Sequence, residues 1–361
     1  MTLAIREQAS CRYDVVTLGE CMIRLSPPGH ERLELARHLE VWVGGGEYNV
    51  SYALARLGLR TGWVGGLPRN PLGRLVLNHG RAVGVDMEHV VLVPYDGVGK
   101  QNRVGLNFTE VGTGLRPSVT MYDRGHSATS LIRPGEIDWK QLFEQQGTRW
   151  FHLGGIFTAL SDSAAEVAAE AMAAAKKAGT IVSYDLNFRS KLWSSDRAQE
   201  VTRPLVQYMD FVIGNEEDFQ KVLGFEVEGV DETLLQLPIE NYKKMVGRVM
   251  ETYPNLQGVG TTLREVVSGL VNNWSAILYY GGSFYESRRY ENLEIEDRVG
   301  GGDGFASGLI YGFLDSMPPA DCTELGAAHG ALLQSTRGDT SMITLDEVFH
   351  IIGGGTARIK R

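Results

Sequence analysis

The sequence predicts an α/β fold of three layers, a central and mostly parallel sheet flanked by helices, with a small β-sheet lid. Two observations predict the layers. Short apolar strands alternate with helical patterns along much of the chain, and glycines stand where strands give way to helices. A third predicts the lid: two regions, 24–43 and 99–130, break that alternation with period-two stretches and turns but little helix.

The elements follow in order. Asp14 to Gly19 reads as a buried strand ending in a turn. Gly44-Gly45-Gly46 precedes a helical pattern with Val50, Ala53, Leu54 and Leu57 on one face and Gly58 as its stop. Gly62 to Leu67 is a second strand and Leu72 to Val83 a helix. Trp150 to Ile156 is a strand. Asp162 to Ala178 is alanine-rich and strongly helical, and Gly179 ends it. Thr180 to Tyr184 is a β-branched strand ending at Asp185. Ser195 to Tyr208 is helical, Phe211 to Gly214 a strand, Glu216 to Leu223 a short helix, and Gln257 to Thr262 another strand. Ligands of open α/β sheets lie beyond the carboxyl ends of strands, so Asp185, Asn215 and Thr262 are expected at such ends. Arg103 to Phe108 and Ser118 to Tyr122 read as strands of an antiparallel flap, the lid; edge strands with long loops are the plainer alternative.

Composition narrows the function. The 361 residues carry a net charge of −9, with 43% hydrophobic and 22% charged content. That is an ordinary globular balance and argues against nucleic acid as a partner. No apolar run reaches the length of a membrane span. Residues 1–12 read as a flexible tail without a secretory signal, and Gly353 to Arg361 as a frayed end. Three dispersed cysteines (Cys11, Cys21, Cys322) fit a reducing cytoplasm better than a disulfide frame.

The most informative stretch is Gly300-Gly301-Gly302-Asp303, followed at once by the apolar pattern Phe305, Leu309, Ile310, Phe313. Unpaired N–H groups at a helix start, with the dipole behind them, form an anion site. Asp303 adds a carboxylate at its mouth. A base beside a pocket for developing negative charge suits phosphoryl transfer to an alcohol. Such a carboxylate is expected to stay ionised and to be a weak base. Neither a P-loop nor a Gly-x-Gly-x-x-Gly fingerprint is present, so P-loop and dinucleotide enzymes lose support.

These residues carry a family resemblance. Asp297-x-x-Gly300-Gly301-Gly302-Asp303 resembles the C-terminal signature of the ribokinase-type (PfkB) carbohydrate kinases. Gly44-Gly45-Gly46-Glu47-Tyr48-Asn49-Val50 with Ala53-x-x-Arg56-Leu57-Gly58 resembles the N-terminal one. Leu18-Gly19-Glu20-x-Met22-x-Arg24-Leu25-Ser26-Pro27-Pro28, Tyr122-Asp123-Arg124, Asp185-Leu186-Asn187-Phe188-Arg189, Asn215-Glu216-Glu217-Asp218 and Thr262-Leu263-Arg264-Glu265 are most similar to 2-keto-3-deoxygluconate kinases. The resemblance implies a ribokinase-like domain over 13–361, with the lid from about 22–43 and 99–130.

It also implies ATP and Mg2+, with transfer of the γ-phosphoryl group to the 6-hydroxyl of 2-keto-3-deoxygluconate. Fructose, 5-dehydro-2-deoxygluconate, or a low-activity sugar-binding protein on the same scaffold are the alternatives. By that resemblance Asp303 is the base and Gly300, Gly301 and Gly302 the anion hole. Gly45, Gly46, Asn49, Asn107, Tyr122, Arg124 and Arg189 face the sugar or sugar acid. Asn187, Asn215, Thr261, Thr262, Leu263 and Arg264 lie near the nucleotide. Glu217 and Asp218 hold magnesium through water, with a solvated acidic helix start as the alternative. For Asn49 the alternative is a helix cap, for Tyr122 a packing aromatic, and for the two arginines surface salt bridges.

His126, His152 and His329 read as structural or rim residues. A homo-oligomer is expected, with the flap as a plausible contact surface. A monovalent cation beside Asp297 and the Gly338–Asp339 turn is left open. Three departures from the family pattern stand out: Gly304 where a Ser or Thr is common, Asn107 where a tyrosine is common, and Tyr48, whose bulk is expected to reshape the sugar pocket.

Overall fold

The computed structural model describes residues 3–226, 239–297 and 299–355. The chain runs β1 (Tyr13–Leu18), β2 (Met22–Ser26), β3 (Glu40–Gly44), α1 (Gly46–Arg56), β4 (Thr61–Val64), β5 (Gly66–Pro68), α2 (Pro71–Arg81) and β6 (Val91–Val93). Next come β7 (Gly105–Glu110), β8 (Val119–Asp123), β9 (Thr148–Gly154), α3 (Gly155–Thr158), α4 (Asp162–Lys177), β10 (Ile181–Asp185), α5 (Ser195–Leu205), β11 (Phe211–Ile213) and α6 (Glu216–Asp218). The last third holds α7 (Ile239–Thr252), β12 (Gly258–Val266), β13 (Val271–Tyr280), β14 (Ser283–Glu286), β15 (Tyr290–Glu294), α8 (Gly301–Leu314), α9 (Pro319–Leu333) and α10 (Leu345–Ile352).

The main sheet has the order β14-β13-β12-β11-β10-β9-β1-β4, with β15 also paired to β13. It is parallel from β4 through β12 and antiparallel beyond. Successive residues of the parallel strands separate into two cores, as the period of two requires. Val16, Phe151, Val182 and Val212 enter one core with residues of α4, α5 and α7. Val15, Trp150, Ile181 and Phe211 enter the other with residues of α1, α8 and α9. This is the expected three-layer, ribokinase-like architecture.

Local chemistry explains the helix starts. Ser161 accepts the Ala164 N–H and so caps the alanine-rich α4. Helices α8 and α9 pack unusually closely. A Cβ on Gly304 would stand 3.0 Å from the Gly330 Cα, and one on Gly308 2.7 Å from the Gly326 Cα. The unexpected Gly304 thus has a packing reason: it lets two backbones approach where a side chain would wedge them apart. The buried His329 joins the same contact, bonding the Gly304 carbonyl and the Ser341 hydroxyl. His152, also buried, bonds Ser183. Burial holds both imidazoles neutral, at about 3 for His152 and about 4 for His329.

The lid is a separate sheet of order β3-β2-β7-β8. Its β7 and β8 pair antiparallel, as expected of the flap, while β2 joins β7 in parallel. The reason is connectivity: β7 returns only after α1, α2 and the intervening strands have crossed the molecule. Other expectations need correction. β12 does not stop at Thr262 but runs to Val266, since β13 pairs with it throughout. The strand ending near Ile156 gives way to helix at Gly155.

The N-terminal segment expected to be flexible docks onto the body. Leu3 and Ile5 pack on the second core, the Leu3 N–H bonds Tyr280 Oη, and Arg6 bonds the Phe143 carbonyl. At the other end, Gly353–Gly355 close α10 through a Gly355 N–H bond to the His350 carbonyl. The rest of that expected tail, 356–361, lies outside the described residues. No described helix is long and apolar enough to cross a membrane.

Candidate active site

A cleft of about 700 Å3 opens between the lid and the carboxyl ends of the parallel strands. Its floor is the start of α8. Gly300 adopts φ +88°, and a Cβ there would lie 2.8 Å from the Asp339 carbonyl oxygen, so only glycine fits without strain. A Cβ on Gly302 would meet nothing within 4 Å, so the first turn is open to a ligand. The first-turn N–H groups have no intrahelical acceptor and carry the positive end of the helix dipole.

Asp303 sits in that first turn. Asn49 Nδ2 donates to its Oδ2 at 2.7 Å, while Asn49 Oδ1 accepts the Gly45 N–H at 3.1 Å. One amide thereby fixes the carboxylate and the entrance to α1 together. Gly45 is forced by space, since a Cβ would come within 1.9 Å of the Glu20 carbonyl oxygen. Burial pushes the Asp303 carboxyl up to about 6, against the Asn49 bond and the nearby Arg189 charge, which pull it down. Desolvation therefore outweighs these two contributions. Asp303 is a stronger base than the sequence led one to expect, yet it is still mostly ionised at pH 7.

The lid supplies the opposite wall. Strand register aligns Arg24, Asn107 and Tyr122 across β2, β7 and β8. All three line the cleft, as do Thr109 and Thr120. The Tyr122 ring has the Arg124 guanidinium 5.4 Å and the Lys191 ammonium 5.6 Å from its centre. Arg124 is anchored by an ion pair with the buried Glu20. Arg189, exposed on the far side, donates to its neighbour's carbonyl at Phe188. Asn187 holds φ +35°, a conformation that asparagine tolerates better than most residues and that sites often exploit. Gly46, Asn187, Arg189 and Asp303 all border the cleft.

Some expected residues stand elsewhere. On β12, Thr262 and Arg264 line the cleft, whereas Thr261 and Leu263 belong to the opposite face of the strand. Thr261 donates to the Gly214 carbonyl and contacts Tyr242, and Leu263 packs on the first core. Asn215 does line the cleft, and it caps α6 in a reciprocal box with Asp218. Both Asp218 oxygens are committed to backbone, one to the Phe188 N–H at 2.8 Å and one to the Asn215 N–H at 2.9 Å. Asp218 thus clamps the loop and lines the cleft beside the exposed Glu217. Among the described residues no group of three or more His, Cys, Asp or Glu is arranged to hold a metal. Tyr48 does not reshape the cleft. It is fully buried, bonds His79 at 2.8 Å and packs edge-on against Trp63.

The sequence pattern of the pfkB family carbohydrate kinases matches residues 12–246. The chain belongs to the PfkB family of carbohydrate kinases. The kinase is therefore a phosphotransferase. It is 33% identical over 348 residues to a 2-dehydro-3-deoxygalactonokinase of Haloferax volcanii, covering 96% of this chain and 99% of that relative. It is 28% identical to a 5-dehydro-2-deoxygluconokinase of Shouchella clausii, over 96% of this chain and 97% of that one. A crystal structure of 2-dehydro-3-deoxygluconokinase from Thermotoga maritima superposes with a TM-score of 0.87 and 39% identity, covering 94% of this chain and 99% of that chain.

Sequence reasoning overlooked several groups in and behind this kinase's cleft. Arg24, Glu20, Thr109, Thr120 and Gln334 were not singled out for a role. The signal for Arg24 was present: an arginine stands within the otherwise apolar run Met22-Ile23-Arg24-Leu25, on the strand face opposite Ile23 and Leu25.

Proposed function

We propose that this PfkB kinase transfers the γ-phosphoryl group of ATP to the 6-hydroxyl of a 2-keto-3-deoxy sugar acid, 2-keto-3-deoxygluconate or its galactonate epimer. The observation that carries this reading is the Asn49–Asp303 pair at an open helix start, facing a lid that brings Arg124 to the same cleft. The two relatives named for 2-dehydro-3-deoxy sugar acids support the substrate class.

In this mechanism the acceptor hydroxyl lies against Asp303. Its oxygen bonds to the γ-phosphorus as the bond to the ADP oxygen breaks, and its proton passes to the Asp303 carboxylate. Proton removal comes late in a loose transfer, so a base near 6 is adequate and positioning matters most. The N–H groups of Gly300, Gly301 and Gly302 offset charge on the migrating group. Arg124 and Arg189 hold the acid end, as a guanidinium fork suits a carboxylate. Gly45, Gly46, Asn49, Asn107 and Tyr122 present polar groups and close backbone to the sugar.

The nucleotide is assigned to the strand ends near Asn187, Asn215, Thr262 and Arg264. The open amides of α8 and the size of the cleft fit its phosphates. Magnesium, when bound, neutralises phosphate charge; Glu217 is the residue placed to hold its hydration water. Lid closure over the cleft excludes water and suppresses hydrolysis.

A coupled ADP-release assay tests the reading on 2-keto-3-deoxygluconate, 2-keto-3-deoxygalactonate, 5-dehydro-2-deoxygluconate and fructose. Turnover on the first two, with kcat/KM at least about tenfold above the others, is expected. Equal or better turnover on fructose would reject the acid-specific reading. No turnover on any of the four would favour a sugar-binding protein.

A further inference from the structure

Between the glycine turn and the lid, bordering the cleft, lies a buried ion cluster to which the proposed transfer assigns no step. Arg24 of β2 is 2% exposed, Asp297 3% and Asp339 5%. Arg24 Nη2 donates to Asp297 Oδ2, and its Nε faces Asp339 Oδ2 at 3.4 Å. Asp297 also accepts the Val299 and Gly338 N–H groups, each at 3.3 Å. One guanidinium thus joins three segments: the lid strand β2, the turn that leads into Gly300, and the Gly338–Asp339 turn. The last two touch directly, as the closeness of Gly300 to the Asp339 carbonyl requires.

A monovalent cation beside Asp297 and Asp339 was the open question left by the sequence. The donors there do not fit a free ion. Each carboxylate already faces the Arg24 guanidinium, two backbone N–H groups complete Asp297, and Asp339 Oδ2, which accepts no hydrogen bond, is met by the guanidinium charge alone. A guanidinium stays charged under all physiological conditions and spans two acceptors in a fixed plane. It can do permanently what a bound ion does only when present.

We propose that Arg24 is a positioning residue that supplies, from within the chain, the positive charge ordering the Gly300–Asp303 turn, so that this kinase works without a monovalent cation. The rate arm of the test rests on the kinase reading above; the stability arm does not.

The wild-type protein is compared in KCl and in choline chloride at equal ionic strength of about 0.1 M. Its melting temperature and its ADP-release rate are expected to agree between the two salts, the rates within about twofold. A melting temperature clearly higher in KCl, or a rate about fivefold higher, would overturn the proposal by revealing a cation with its own site. Arg24→Ala leaves two carboxylates facing a gap of cation size. This variant is expected to be stabilised by KCl over choline chloride, and to regain rate as KCl rises. Arg24→Lys, which keeps a charge without the planar fork, should recover part of the lost kcat in choline chloride. An Arg24→Ala protein with wild-type kcat in choline chloride would also overturn the proposal. If Arg24→Ala does not fold, the wild-type salt comparison and Arg24→Lys still decide the matter. If no acceptor supports turnover, the kinase reading fails, while the melting comparison still tests Arg24.

Discussion

Asn49 and Asp303 share a 2.7 Å hydrogen bond across 254 residues of sequence, and it joins the first turns of α1 and α8. Two walls of the cleft are therefore tied together by one contact. Its chemistry gives the first two predictions.

Asp303→Asn should lower kcat by about 10²–10⁴-fold, the usual range for loss of a general base. It should also stabilise the fold. The Asp303 carboxyl is raised in the folded protein to about 6 from an ordinary 3.8, so above pH 6 the folded state carries a penalised charge. Removing that charge at pH 7 should add roughly 1–3 kcal/mol, at about 1.4 kcal/mol for each pH unit between the two values. Denaturant unfolding beside the ADP-release assay reads both. A less stable variant would argue that the ionised carboxylate holds the fold together.

Turnover should fall as pH drops through about 6, where Asp303 takes up a proton. Asn49→Ala removes a bond that favours the charged carboxylate, so the acid limb of the kcat/KM profile should move to higher pH. For a rise of about one pH unit, the variant should lose about threefold more activity at pH 6.5 than at pH 8. A loss of equal size at both pH values would mean that Asn49 orients the sugar without tuning the base.

Glu47, buried one turn from the cleft, gives a stability signature. Burial, with Asp303 nearby, pushes its carboxyl up to about 8 from an ordinary 4.5. The folded state binds its proton more tightly than the unfolded state does. Wild-type stability contributed by this group is therefore full below pH 4.5 and is lost as pH rises through about 8. Glu47→Gln should remove that slope and gain a few kcal/mol over wild type near pH 8.5. Parallel stability profiles for the two proteins across that window would refute the assignment.

Arg124 reaches the cleft under the hold of Glu20. Arg124→Met should raise KM for a sugar acid by about tenfold or more, with a much smaller change for a neutral sugar. Glu20→Gln should show a weaker version of the same pattern, because it loosens the arginine without removing it. Steady-state kinetics on 2-keto-3-deoxygluconate and fructose distinguish these outcomes. Equal losses on both sugars would assign the pair to lid stability alone.

The layered fold and the glycine–aspartate turn were legible because their signals are local. A helix start needs only its own first residues, and strand–helix alternation needs only neighbouring segments. What escaped was set by partners far away. Arg24 meets Asp297 across 273 residues, which no window of sequence displays. Asp218 also clamps the backbone at Phe188, thirty residues away in sequence, which its residue type alone does not display. The Thr261–Arg264 run failed differently. Its period of two was readable, and choosing alternate residues would have separated the two that reach the cleft from the two that do not. Tyr48 was read by its bulk as able to crowd the sugar, but α1 turns it toward His79 and Trp63.

Because Asn49, Arg24 and Glu20 lie in the first seventh of the chain and Asp297, Asp303 and Asp339 in the last fifth, neither half of the site exists on its own. A chain still emerging from the ribosome carries a sugar wall with no base behind it. An interrupted translation product therefore carries an incomplete cleft, with Asn49 made but Asp303 not yet there to meet it.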